Sequence, residues 1–484
     1  MNPTTTTTPA ANKAAQFLAD SDAKAFDLEH RRKIQFNIGK YNAAVSTGLG
    51  FYEDHELARE RASYLKTKVI NHLDEYLLEF ERNFTARGGK VIWAQNADEA
   101  LHEIGKIMAR RKAKTVVKAK SMTTEEIHLN HFLEQNGIES VETDLGEFIV
   151  QLNGERPYHI VTPAMHLSKT DIANIFVKHL GIEYTDDAQK LVLTARHLLR
   201  SKYTTAEVGI TGGNFLIADT GAIAVTENEG NARLSATFPR THIAIVGIEK
   251  VIPKLEDLAL FWPLLSTSGT GQQVTVYNTI YTGPRQPLEK DGPDEMIVVL
   301  LDNGRTNLLA QPAQREALNC IRCGACLNIC PVYKNIGGHT YETTYSGPIG
   351  SVISPHLAGM ADNKHLSYAS SLCGACTSVC PVKIPIHNLL LQNRQQAVRE
   401  QLTDKEERTA IRLWLVAMKN RRLLDLLPAR AKNWVLLRLL SQVGWSKRRD
   451  ALQVAPKSFK QLWKARKSLS FATPALTANL GPVS

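Results

Sequence analysis

CIRCGACLNICPVY, residues 320–333, and LCGACTSVCPVKIPI, residues 372–386, decide how the carboxyl-terminal half of this chain folds. The first stretch spaces its thiols as Cys320-x2-Cys323-x2-Cys326-x3-Cys330-Pro331. Three cysteines at intervals of three wrap one face of a cubic iron–sulfur cage, and the proline turns the chain away. In two-cluster ferredoxins the fourth cysteine of such a run ligates the other cage. The second stretch reads Cys373-x2-Cys376-x3-Cys380-Pro381, and one further step back by three lands on Ser370. The crossed rule assigns Cys320, Cys323, Cys326 and Cys380 to one complete [4Fe-4S] cluster. Cys330, Cys373 and Cys376 remain for a second [4Fe-4S] cluster, one thiolate short. Zinc wants four ligands, commonly as two separated Cys-x2-Cys pairs, and overlapping triplets ending in Cys-Pro fit that poorly. The long link from Cys330 to Cys373 favours a helical ferredoxin module over a compact one.

At the short site three arrangements stay open. One is a three-iron [3Fe-4S] cluster. Another is a four-iron cluster completed by Ser370 or by a histidine from between the motifs, His339, His356 or His365. The third leaves one iron open, as a Lewis acid able to hold a hydroxyl or carboxylate of a substrate.

All seven cysteines of the 484 residues fall within these motifs. Their odd number and confinement exclude a disulfide framework, and a chain of about three domains at ~150 residues each buries a core without staples. Reduced thiols imply the cytoplasm. No apolar run approaches the ~18 residues of a bilayer span. The opening MNPTTTTTPAANK lacks the basic and apolar regions of a signal peptide and reads as a disordered Thr-rich tail.

Charge is uneven. From Gln401 onward there are 17 Lys plus Arg against 5 Asp plus Glu, so the total of +10 belongs to the carboxyl-terminal region. That asymmetry suits an acidic partner, a membrane surface or nucleic acid.

The expected organisation is a disordered tail over 1–23, an exposed helical arm over 24–65 and an α/β domain over 66–304. The two-cluster module follows over 305–390, then a basic helical region over 391–484. Within the α/β part, apolar spacing from Val69 to Phe84 predicts a helix ending before Gly88-Gly89. Strands are predicted at 90–94, 115–119, 158–162, 214–218, 222–226, 242–246 and 296–301, with a helix over 97–111. Strand–helix alternation with near-continuous apolar strands indicates a mostly parallel sheet covered on both faces.

GITGGNFLIADTGAIAVTENEGNARL (residues 209–234) and the two cysteine motifs together resemble the lactate utilization protein B family, over nearly the whole chain. The resemblance implies a sugar-phosphate isomerase and coenzyme A transferase-like α/β fold. It also implies that the absent cysteine at Ser370 is the family's own pattern. It further implies a role, with two companion subunits, in oxidising L-lactate to pyruvate and passing electrons to a respiratory acceptor.

Physically, Gly212-Gly213-Asn214 can turn with positive φ and offer amides to an anion. Asp219-Thr220-Gly221 is a hairpin-like turn. Glu227, Asn228, Glu229, Gly230 and Asn231 stand at a strand's end, where open α/β sheets bind ligands. Lys118, Lys120 and Ser121 end another strand and can offer charge to a carboxylate. Ordinary turn chemistry explains the same residue types. No GxGxxG, P-loop or flavin signature is present.

In the tail, Trp414, Leu415, Met418, Leu423, Leu424, Leu427, Trp434, Leu437 and Leu440 interleave with Arg412, Arg421, Arg422, Arg430, Arg438 and Lys447-Arg448-Arg449. Docking to a companion ranks first, packing on the chain's own module second, peripheral contact with a membrane's inner face third. Nucleic acid ranks last. The leading expectation is an oxidoreductase component in lactate oxidation. Its rivals are an electron carrier for another two-electron donor, such as glycolate or a thiol–disulfide couple, and an iron–sulfur sensor.

Overall fold

The computed structural model describes residues 10–420, 422–423, 428–442, 450 and 453–466. Two compact units are present, residues 1–402 and 403–484.

Among the described residues of the first unit, ten strands form two sheets. They are β1 (Lys90–Ala94), β2 (Thr115–Lys118), β3 (Glu139–Glu142), β4 (Val208–Thr211), β5 (Phe215–Ile217), β6 (Ala222–Glu227), β7 (Thr241–Gly247), β8 (Val251–Ile252), β9 (Tyr277–Tyr281) and β10 (Glu295–Leu301). The larger sheet runs β1-β10-β7-β4-β2-β3, every neighbour parallel. The parallel sheet expected from strand–helix alternation is therefore present. Its central strands β7 and β10 are buried throughout, because alternate residues feed opposite cores. Ile243, Ile245, Ile297 and Val299 pack with Ile104, Ile107 and Met108 of the helix Ala97–Arg111. Ala244, Val246, Val298 and Leu300 share the other core with the amino-terminal helices, the smaller sheet and the cysteine module. The smaller sheet, β8-β5-β6-β9, has an antiparallel β5–β6 hairpin turning at Asp219-Thr220-Gly221.

Several expectations change. The 1–23 tail is helical from Ala10, in the helix Ala10–Phe26, and Phe17 is buried against Tyr341 and His365; residues 1–9 lie outside the described set. The arm is a clamp and not an exposed appendage. Its helices Leu28–Leu49 and His55–Asn71 bury Ile34, Ile38 and Ala62. Arg59 donates to the carbonyls of Cys380 at 3.0 Å and Ser378 at 2.8 Å. The 65/66 boundary falls inside the second of these helices. The expected helix up to Phe84 breaks at His72. No strand forms at 158–162, because a side chain takes the amides that ladder pairing would need: His159 Nδ1 accepts from the amides of Val161 at 3.1 Å and Thr162 at 3.3 Å. Strands β3, β4, β8 and β9 escaped prediction.

The chain from Arg305 to Leu402 is helical, with no strand among its described residues. The helix Ile386–Arg399 crosses the expected 390/391 boundary and buries Leu389, Leu390 and Ala397 within the first unit.

The second unit holds the helices Lys405–Lys419, Ala429–Gln442 and Phe459–Arg466. Their Trp414, Leu415, Met418, Trp434 and Leu437 are exposed, as is Leu423 between the first two. Arg421, Leu424, Leu427 and Lys447-Arg448-Arg449 lie outside the described residues, as does the Leu440 side chain. No helix among the described residues is long and apolar enough to cross a membrane.

Candidate metal centre

Two loops of matching conformation carry the cysteines. In the first, Arg322 (φ 64°) and Gly324 (φ 83°) flank Cys323; in the second, Leu372 (φ 55°) and Gly374 (φ 81°) flank Cys373. Each left-handed pair bends the backbone around a thiol and starts a short helix, Ala325–Ile329 in one and Ala375–Ser378 in the other. The match extends to hydrogen bonds. The Arg322 amide donates to Cys320 Sγ at 3.4 Å, and the Leu372 amide donates to Ser370 Oγ at 3.1 Å. Ser370 thus occupies in the second loop the place of Cys320 in the first. Further amides reach sulfur, Tyr333 to Cys330 at 3.5 Å and Ile384 to Cys380 at 3.4 Å.

The fold sorts the seven thiols into two groups. Cys320, Cys323, Cys326 and Cys380 line one small cavity whose remaining wall is largely apolar, from Ile160, Ile349, Val382 and Ile384. Burial pushes the Cys326 thiol well up, and charge at Cys320, Cys323 and Cys380 pushes it further. Cys380 rises to about 11 by burial and by Cys320. Cys376 also rises to about 11, by burial and then by Cys330 and Cys373. Exposed Cys373 moves the other way, lowered by the Ala375 amide and the Ser371 hydroxyl. Bare thiolates in an apolar pocket are costly, and iron supplies the positive charge that lets four sulfurs share it. The residues therefore fit the cluster.

The three histidines between the motifs have other partners. His339 donates to the Arg156 carbonyl at 2.7 Å, His356 bonds Asn393 at 2.9 Å and His365 packs on Phe17.

A cleft of about 400 Å³ opens beside the first loop, at the carboxyl ends of β2 and β4. Lys120, Ser121, Gly212, Glu227, Glu229, Lys250, Arg322 and Cys323 all line it. Lys118 does not take part: it is fully buried, bonded to Glu142 at 2.7 Å, Thr124 at 2.9 Å and Glu125 at 3.3 Å. Gly212 and Gly213 are not at positive φ. Gly212 serves close approach instead, since a Cβ there would stand 2.7 Å from Ser121 Oγ. Glu227 accepts from the amides of Ala232 and Arg233, and Glu229 from that of Leu145, so both also do helix-start work. Burial and Asp144 raise Glu229 to about 7. Lys250 is lowered to about 8 by burial and then by Arg322.

Sequence reasoning missed the junction that seats the loop. Glu249 bonds Arg305 at 2.5 Å and Arg322 at 3.3 Å, Arg305 also pairs with Glu126 at 2.9 Å, and Tyr345 donates to Glu126 at 2.6 Å. Against burial, which raises it, Arg305 and Arg322 hold the Glu249 carboxyl down to about 2. The available signal was the Glu249-Lys250 pair directly after an apolar parallel strand, where such sheets keep their sites.

Residues 77–301 match the LUD domain, and residues 316–384 match the 4Fe-4S dicluster domain. Lactate utilization protein B of Bacillus licheniformis is 47% identical over 344 residues, 71% of this chain and 72% of that one. The same-named protein of Geobacillus sp. WCH70 is 46% identical over 383 residues, 79% of this chain and 78% of its own. That of Bacillus subtilis is 46% identical over 344 residues, 71% and 72% of the two chains. Among solved structures, a DUF162 family protein from Deinococcus radiodurans aligns over 47% of this chain and 98% of its own, at 14% identity and TM-score 0.28. The chain is an iron–sulfur protein of the lactate utilization protein B family.

Proposed function

We propose that this chain is the iron–sulfur component of an L-lactate-oxidising system, acting with two companion subunits and delivering electrons toward a respiratory acceptor. Cys320, Cys323, Cys326 and Cys380 hold one [4Fe-4S] cluster. Cys330, Cys373 and Cys376 hold the second, with Ser370 at the fourth position. When bound, the clusters supply one-electron transfer, which suits serial passage of the two electrons that leave lactate as it becomes pyruvate and two protons. The chain's own residues do the rest. Amides directed at sulfur temper thiolate charge, and Ile160, Ile349 and Ile384 keep water from the first site. The helices Lys405–Lys419, Ala429–Gln442 and Phe459–Arg466 offer apolar and basic side chains to a companion.

The supporting observation is the sorting of the seven cysteines into four that line one apolar cavity and three outside it, with the two loops exchanging their last cysteines. The test is anaerobic reconstitution with the companion subunits, followed by lactate and electron paramagnetic resonance. Reduced-cluster signals are expected with lactate; their absence, in protein carrying its full iron and sulfide, overturns the assignment.

A further inference from the structure

Two cations line the cleft beside the first cysteine loop with donor capacity to spare. Lys250 is 8% exposed, and its ammonium makes no hydrogen bond among the described residues. Arg322 spends Nη2 on Glu249 at 3.3 Å and lays its guanidinium on the Tyr345 ring, 4.4 Å from the centroid. Its Nη1 is buried with no hydrogen-bond partner. Both side chains line the cleft, next to Cys323. A charged donor left buried and unpaired is costly, so Arg322 Nη1, with Lys250 beside it in the lining, is organised for an acceptor that comes from outside.

The charge around them narrows the choice. Lys66, Lys250, Arg305 and Arg322 surround Glu249, whose carboxylate is already shared between the two arginines. Lys66 donates to the carbonyls of Glu249 at 2.6 Å and Val251 at 3.3 Å, so it faces away from the cleft's demand. Elsewhere along the same cleft stand Asp144, Glu227 and Glu229. A ligand with one anionic group and an uncharged polar remainder meets the cations without meeting those acids as a second anion.

We infer that the cleft binds a small monocarboxylate of the 2-hydroxy or 2-oxo acid class, its carboxylate held by Lys250 and Arg322 Nη1 beside Cys323. The identity of the acid rests on the proposed function; the binding site does not. A carboxylate oxygen suits the charged Nη1 that Glu249 leaves unpaired. The acid's second oxygen then falls among the hydroxyl and amide groups of Ser121, Asn214 and Thr226, which share the lining. A competing explanation is that the cations only offset the negative charge of the thiolates.

Titration calorimetry on the anaerobic, cluster-loaded full chain separates these cases, with pyruvate as the probe because it cannot donate electrons. Pyruvate should bind, and Lys250→Met should weaken it at least tenfold while the cluster absorption spectrum stays unchanged. Arg322→Lys, which keeps the charge but loses Nη1, should weaken it severalfold. Succinate, with its second carboxylate, should bind more weakly than pyruvate. Failure of pyruvate to bind, or equal binding by Lys250→Met, overturns the inference. So does inorganic phosphate binding as tightly as pyruvate. A shift in cluster reduction potential in Lys250→Met without change in pyruvate affinity assigns the cation to the cluster and also overturns it. Lys250-dependent pyruvate binding in protein whose clusters lactate and the companions cannot reduce would sink the redox reading and keep the site. Lactate-driven reduction with no pyruvate binding would do the reverse.

Discussion

Arg322 Nη2 lies 3.3 Å from Glu249 Oε1, joining the residue just before Cys323 to the segment that leaves the central strand β7. Through this contact the position of the first cysteine loop is set by the parallel sheet. Glu249→Gln removes a buried charge that two arginines share, and breaking a buried ion pair from one side costs about 3–5 kcal/mol. The denaturant midpoint should fall accordingly, with reduced iron retention at the first site. An unchanged midpoint would mean the junction carries no weight.

Ser370 stands in its loop as Cys320 stands in the other. Ser370→Cys should therefore supply a fourth thiolate without rearranging the backbone. The variant should keep four irons at the second site on brief exposure to air, whereas Ser370→Ala should lose one iron faster than the parent. Mössbauer and electron paramagnetic resonance spectra follow both. Identical spectra from all three proteins would leave Ser370 no part in holding iron.

Gly269 lets the helix Leu258–Thr270 lie against the first cysteine loop, since a Cβ there would stand 2.6 Å from the Cys323 carbonyl oxygen. Gly269→Ala forces helix and loop apart, at about 1–3 kcal/mol for an overpacked contact. Lower iron content at the first site and a lower melting temperature are expected; a fully loaded, equally stable variant contradicts the packing.

His242 is fully buried in β7, bonded to Thr211 Oγ1 at 2.8 Å, and burial lowers its pKa to about 3. Between that value and the unfolded ~6.5 the unfolded chain takes a proton that the folded chain refuses. Stability is thus complete above about pH 6.5 and is lost as pH falls, by about 2 kcal/mol at pH 5. His242→Gln, which cannot titrate, should show a shallower decline in urea midpoint from about pH 7.5 to about pH 5 than the parent. Parallel declines would exclude His242 as a source.

Residues 403–484 form a separate unit with exposed tryptophans and leucines. A chain ending at Leu402 should keep its cluster spectrum and lose association with the companion subunits in analytical ultracentrifugation. Retained association would move the docking surface to the first unit.

The two matching cysteine loops were legible because their form is largely a matter of spacing along a short segment: intervals of three and a following proline are visible in the letters. Ser370 was legible for the same reason, as a gap in a repeat. The central strands showed as continuous apolar runs because they are covered on both faces. The short strands β3 and β8 carry too few residues for any period to show, and the run at 158–162 looked extended until His159 captured the amides that pairing needed.

Composition and spacing along the chain were enough to establish the seven thiols, the parallel sheet and the helical character of the cysteine module, since each follows from near neighbours. The company kept by Lys250, Glu249, Arg305 and Arg322 was decided only by folding. The adjacent Glu249 and Lys250 lie far along the chain from Arg305 and Arg322, and nothing local in their residue types says that burial will leave two cations facing one cleft. Long-range packing brings them together, and the low dielectric there makes their charges count.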